Sequence, residues 1–152
     1  MKKLTLVLAA TVVCAPLWLS PAHAQFAKPE DAIKYRQSAL SLLSTHMTRL
    51  QPVLKGQVAF DAAAVKADVA IIQTVSTLPW TAFVAGTHGS SSAKPEIWSD
   101  PAGFKAAHQS FEAAVLQLSG AADSGDLNKL RSAAGDVGTS CKACHDSYRA
   151  KK

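Results

Sequence analysis

The sequence predicts an all-α protein, an antiparallel up-down-up-down bundle of four helices. Three observations lead there. Apolar residues recur at alternating steps of three and four in separate stretches, the spacing that gathers them on one helical face. The stretches open on prolines or aspartates suited to a first helical turn and are broken by glycine or proline. The connections between them are mostly short, which sets neighbouring helices antiparallel.

Pro29-Glu30-Asp31 begins helix one, a proline at the first position and two acids where the helix dipole favours them. Ile33, Leu40, Leu43, Met47, Leu50 and Leu54 form its inward stripe. Pro52 should kink the last turn, and Gly56 ends it. Asp61 caps helix two, which carries Val65, Val69, Ile72 and Val75 inward and stops by Pro79. The one long loop follows, through Gly86-Thr87-His88-Gly89 and Ser90-Ser91-Ser92. Trp80, Phe83 and Trp98 pin its base over the core, with a cofactor cage as the alternative. Asp100-Pro101 opens helix three, with Phe104, Phe111, Val115 and Leu118 inside. Gly125 breaks the chain and Asp126 caps helix four, whose seam is Leu127, Leu130, Ala134, Val137, Cys141, Cys144 and Tyr148.

Helix four carries the chemistry. Cys141-Lys142-Ala143-Cys144-His145 is a Cys-x-x-Cys-His run, the attachment signature of a c-type haem. Two thiols at this spacing add across the two vinyl groups of one porphyrin, and the adjacent imidazole becomes the proximal iron ligand. Both cysteines fall on the inward seam, and His145, four residues after Cys141, shares that face. A thioredoxin-type dithiol needs a βαβ setting, which is missing here. A structural zinc site needs four ligands, and no second cysteine pair exists. The expected cofactor is one covalently bound haem c per chain.

The N-terminus reads as a secretory signal. Met1-Lys2-Lys3 precedes an apolar run from Leu4 to Leu19, shorter than a membrane span, and Ala22-His23-Ala24 supplies small residues for cleavage. The expected organisation is a leader over 1–24 and one haem-binding domain over 25–152, free of the membrane once processed. Cys14 leaves with the leader, so no disulfide framework remains. Attachment of haem c outside the cytoplasm agrees with export, and the expected location is the periplasm. Losing Lys2 and Lys3 takes the formal net charge from +5 to +3, with the cations dispersed. That excludes a nucleic-acid binder, which needs a clustered basic stripe.

The sixth ligand position decides the function. A second strong ligand makes an electron carrier, whereas an open position binds small molecules. The candidates are His46, His88, His108 and Met47. Met47 lies on an inward stripe, where a methionine ordinarily fills core space. The three histidines lie off the stripes or in the loop and read as surface imidazoles.

Beyond periodicity, the processed chain resembles the cytochromes c′, the high-spin class II c-type cytochromes, and within them the Alcaligenes type. The likeness runs through Gln25–Ala32, Tyr35–Leu40, Lys55-Gly56-Gln57, Leu78-Pro79-Trp80, Pro95–Trp98, Gly125-Asp126-Leu127 and Val137–Arg149. It implies that His145 is the only protein ligand to iron. It implies that Leu40 roofs the distal face, where low-spin relatives place a methionine; Met47 lies two turns further on. Arg36 and Gln37 match residues that meet the haem propionates, and Arg149 matches the arginine beside the proximal histidine. The stretch from Thr87 to Ser92 departs most from the family pattern, which leaves any propionate contact from it open. A homodimer packed through helix one is also implied.

The expected function is a periplasmic binding protein whose five-coordinate haem takes nitric oxide or carbon monoxide under a leucine. The alternative is an electron-transfer cytochrome with redox partner proteins. An enzyme such as a weak peroxidase ranks last, since no distal His or Arg is placed to cleave a peroxide.

Overall fold

Aspartates start three of the long helices by taking up amides that have no partner within the helix. Asp61 accepts from the backbone N–H groups of Ala63 and Ala64, Asp100 from that of Gly103, and Asp126 from those of Asn128 and Lys129. The first helix has no side-chain cap; Pro29 lacks the N–H that would need one, and Glu30 and Asp31 sit in its first turn. Gly56 (φ 70°) and Gly125 (φ 67°) then turn the chain in left-handed conformations, one after each of two long helices.

In the computed structural model, which describes residues 25–151, these signals yield α1 Pro29–Leu54, α2 Ala62–Ser76, α4 Pro101–Ser124 and α5 Leu127–Tyr148. A single-turn helix, α3 Glu96–Ser99, and a 3-10 turn, Trp80–Ala82, lie in the long connection after α2. Among the described residues there is no strand, only one isolated bridge between Ala93 and Arg149. The expected leader lies outside the described residues. No helix among those described is long and apolar enough to cross a membrane.

The stripes meet in one core. Val65, Val69, Ile72 and Val75 of α2, Phe111, Val115 and Leu118 of α4, and Leu130, Ala134 and Val137 of α5 are all buried there. Each large aliphatic side chain removed from water contributes about 1.5–3 kcal/mol, so this wall is the main source of stability. Helix α1 adds Leu43 and Leu50. Packing runs from α1 to α2, from α2 to α4 and from α4 to α5, whereas α1 and α5 barely touch. The bundle is open between its first and last helices.

Two details differ from the sequence reading. Helix α2 stops at Ser76 rather than running on to Pro79, because the Trp80 indole N–H donates to the Ser76 carbonyl (2.7 Å) and closes the end. In the first half of α1 the fully buried positions are Ala32, Arg36 and Ala39, with Ile33 and Leu40 only half-buried. Small residues let the following segment approach closely, and a charged side chain fills the space between them.

Candidate functional site

Helix α5 sets the two thiols on the bundle's inward side. Cys141 packs against the core, and both it and Cys144 are half-buried. Burial pushes both thiols above the ordinary cysteine value, and for Cys144 the neighbouring Cys141 adds to the effect. His145 follows on an exposed turn. Partial loss of hydration, and then the positive charge of Arg149, lower its pKa against a smaller opposing pull from Asp146. Both effects favour the neutral ring, the form that offers a lone pair to a metal.

The other imidazoles are engaged. His46 shares its Nδ1 with Asp68 at 2.7 Å, and Arg49 closes the same carboxylate. His108 lies flat on Trp80, ring centroids 4.9 Å apart, and contacts Glu112. His88 leans on Trp98 at 4.1 Å. Met47 packs against the core. Among the described residues, His145 is the one histidine with neither a stacking nor a hydrogen-bonding side-chain partner.

Helix α1 supplies the facing wall. Leu40 is half-buried and packs against the same core cluster as Cys141. Gln37 is exposed and lines an open cleft of about 490 Å³ with Gly89, Ser90, Ser91, Ser92, Ala150 and Lys151. Arg36 is the surprise. It is only 1% exposed, with its guanidinium 4.5 Å from the Phe83 ring centroid. Nη1 donates to the Ala82 carbonyl (3.0 Å) and Thr87 Oγ1 (2.8 Å); Nη2 donates to the Thr87 carbonyl (2.7 Å) and Ser91 Oγ (3.2 Å). Those four bonds use every terminal N–H of the fork, leaving only Nε–H. Its terminal donors are thus spent on the protein, and Nε–H is the donor that remains for the expected propionate contact. Burial also pulls its pKa below the ordinary arginine value.

Arg149 is exposed just past the end of α5, and its amide donates to the His145 carbonyl at 3.1 Å. Tyr148 donates to Asp100 Oδ2 at 3.0 Å and meets Phe104 edge-on, tying this end of α5 to the start of α4. Neither Thr87, buried beneath the loop, nor Ser91 stood out in the sequence as site residues. Thr87 sits between Gly86 and His88 in a polar stretch, and no local pattern marks it as buried.

A thioether-bound porphyrin needs two thiols one helical turn apart, a neutral imidazole next to them, space, and polar cover for its carboxylates. Cys141, Cys144 and His145 supply the first two requirements. The open cleft of about 490 Å³ beside Gln37, the loop serines and Lys151 supplies space and polar cover. The residues present fit the group.

Comparison with known proteins agrees. The family described as Cytochrome C′ matches residues 31–149. The chain belongs to the cytochrome c′ family. Cytochrome c′ of Alcaligenes xylosoxydans xylosoxydans is 61% identical over 128 residues, covering 84% of this chain and 100% of the relative. That of Rubrivivax gelatinosus is 46% identical over 130 residues, covering 84% and 100%. Among solved structures, the nitric oxide complex of a leucine-to-alanine variant of cytochrome c prime from Alcaligenes xylosoxidans superposes with a TM-score of 0.81. It is 59% identical, with 84% of this chain and 100% of that chain covered. The cytochrome c′ cofactor is c-type haem, and Cys141 and Cys144 are the thiols present for it.

Proposed function

We propose that the chain is an exported, periplasmic gas-binding cytochrome c′ whose haem is held by one protein ligand, His145, and roofed by Leu40. The single observation that carries this reading is the state of the histidines: among the described residues His145 alone is uncommitted, while His46, His88 and His108 are held by carboxylates or indoles. Haem c, when bound, supplies the iron on which nitric oxide or carbon monoxide is taken up. Cys141 and Cys144 tether it, and His145, with no side-chain partner among the described residues, is the ring that would ligate its iron. Leu40 has no hydrogen-bond donor, so water and dioxygen gain little beneath it, whereas carbon monoxide and nitric oxide depend less on such support. The relative's nitric oxide complex supports the choice of ligand. Gln37 and Arg36 Nε–H face the propionates in this reading, and Arg149 flanks the proximal side.

The reading is of a binding protein rather than an enzyme. Arg36, one turn from Leu40, has its terminal N–H groups bonded internally and cannot polarise a peroxide with them. Export through cleavage after Ala24 is supported by the Alcaligenes relative, whose whole length corresponds to 128 residues of this chain. A homodimer through α1 is supported by Leu42, half exposed on that helix. Electron transfer is the second reading, favoured by the exposed end of α5, where Lys142, Arg149 and Lys151 could meet a redox partner protein.

An absorption spectrum tests the proposal. A high-spin ferrous protein whose bands move on adding carbon monoxide is expected. A sharp low-spin spectrum indifferent to carbon monoxide would sink it and leave electron transfer.

A further inference from the structure

We infer that residues 87–94 are a strap that spans the open seam, and that Arg36 and Thr87 are positioning residues that set α1 against α5. The inference deepens the proposed function, since those helices carry Leu40 and His145, the residues read as lying on opposite sides of the haem.

The strap is buckled to α1 at one end. Arg36 is a buried cation with no carboxylate beside it, which is costly unless its donors are all met. The four terminal N–H groups are met by the segment 82–91, and the guanidinium lies 4.5 Å from the Phe83 and 5.8 Å from the Trp98 ring centroid. Thr87, also 1% exposed, takes part three times. Its carbonyl and its hydroxyl each accept from Arg36, and the hydroxyl donates onward to the Val84 carbonyl at 2.7 Å. Ser91 Oγ accepts from Arg36 and donates to the His88 carbonyl. Gly89 lies flat on α1: a Cβ there would come within 2.6 Å of Ile33 Cδ1.

At its other end the strap is paired with the close of α5. The Ala150 amide donates to the Ser92 carbonyl (2.8 Å) and the Lys94 amide to the Tyr148 carbonyl (3.0 Å). Lys94 Nζ then caps the carbonyls of Asp146 and Ser147. These bonds fall within five residues of His145. Because α1 and α5 scarcely meet directly, this route from Arg36 through Thr87 and Ser91 to Tyr148–Ala150 is the short connection between the walls. A lysine at position 36 could not do the same, having no planar fork to reach three places in one loop.

The test uses the haem-loaded protein and two readouts: hydrogen exchange of the Lys94 and Ala150 amides, and the association rate of carbon monoxide. Thr87→Val is nearly isosteric and removes the hydroxyl, stranding a buried charged donor. Exchange at both amides should rise about tenfold or more, the size of one lost hydrogen bond to a charged group, and the carbon monoxide rate should shift with it. Thr87→Ser, which restores the hydroxyl, should return both to near the starting values. Val115→Ala, a core truncation on α4, should lower the melting temperature without moving either readout. The strap is overturned if Thr87→Val speeds exchange only within 84–91, or if Val115→Ala moves Lys94 and Ala150 equally. Should Thr87→Val not fold, Ser91→Ala removes one acceptor of Arg36 and should give a smaller rise at the same amides; no rise there overturns the inference. A protein that binds no carbon monoxide yet shows the exchange pattern tells against the gas-binding reading and not against the strap.

Discussion

Truncating Leu40 to alanine separates its two roles, core filler and lid. The side chain is half-buried against the cluster that also receives Cys141. Removing three carbons would cost about 2.4 kcal/mol if they were fully buried, so about 1 kcal/mol of stability is expected at half burial. If the leucine must swing aside for a gas to bind, losing it also removes a barrier of about 1–2 kcal/mol. That corresponds to roughly a five- to thirtyfold faster association rate. Flash photolysis of the carbon monoxide complex measures this directly. Leu43→Ala is the control: Leu43 lies one turn along the same helix but is fully buried in the core. It should cost about 2–5 kcal/mol and leave the gas rate within about twofold. If Leu40→Ala loses stability as expected while the rate stays put, Leu40 is a core residue and not the roof.

Four further outcomes are expected. Replacing both Cys141 and Cys144 with serine should leave haem extractable by acidified organic solvent, and haem that stays with the chain would refute their role. Gly103→Ala should destabilise by about 1–3 kcal/mol in denaturant melts although alanine is the better helix former, because its Cβ would sit 2.0 Å from Asp100 Oδ2 and 2.6 Å from the Tyr148 hydroxyl; a neutral result would mean this corner yields easily. Leu130→Ala, at 0% exposure, should cost about 2–5 kcal/mol in the same assay. For Asp126, the Lys129 and Asn128 amides hold the carboxyl below the ordinary value, so its stabilisation is present above the unfolded pKa of about 3.9 and is lost as pH falls through the lower folded one. Asp126→Asn, an equally good cap without the titration, should therefore flatten the acid limb of the melting curve.

What the sequence made legible was local. An aspartate ahead of an apolar stripe fixes a helix start by its own one or two bonds, which is why Asp61, Asp100 and Asp126 all cap where expected. The Cys-x-x-Cys-His run was equally plain from its spacing, but only the two thiols turn inward; His145, expected on the same face, is exposed. The opposite wall was harder to read. Leu40 and Leu43 look identical in a periodic stripe, and only packing distinguishes a half-buried leucine at an open seam from one inside the core. Hardest was Arg36. A charged residue between apolar ones reads as surface, and each hydrogen-bond partner that makes its burial possible lies 46 to 55 residues away.

The polar loop hid its role for the same reason. Serines and glycines between two aromatic clusters suggest a solvated excursion, yet the segment carries the acceptors a buried guanidinium requires. A bundle that closed α1 directly on α5 would leave no room for a cofactor between them, and one left unbridged would not hold two walls in register. A polar strap resolves the conflict: it joins α1 to the end of α5 at one place and keeps its polar groups bonded. The cost is a cation that cannot be lost without stranding the loop, so substitutions at Arg36 should be felt at Ala150, far away in sequence and across the site.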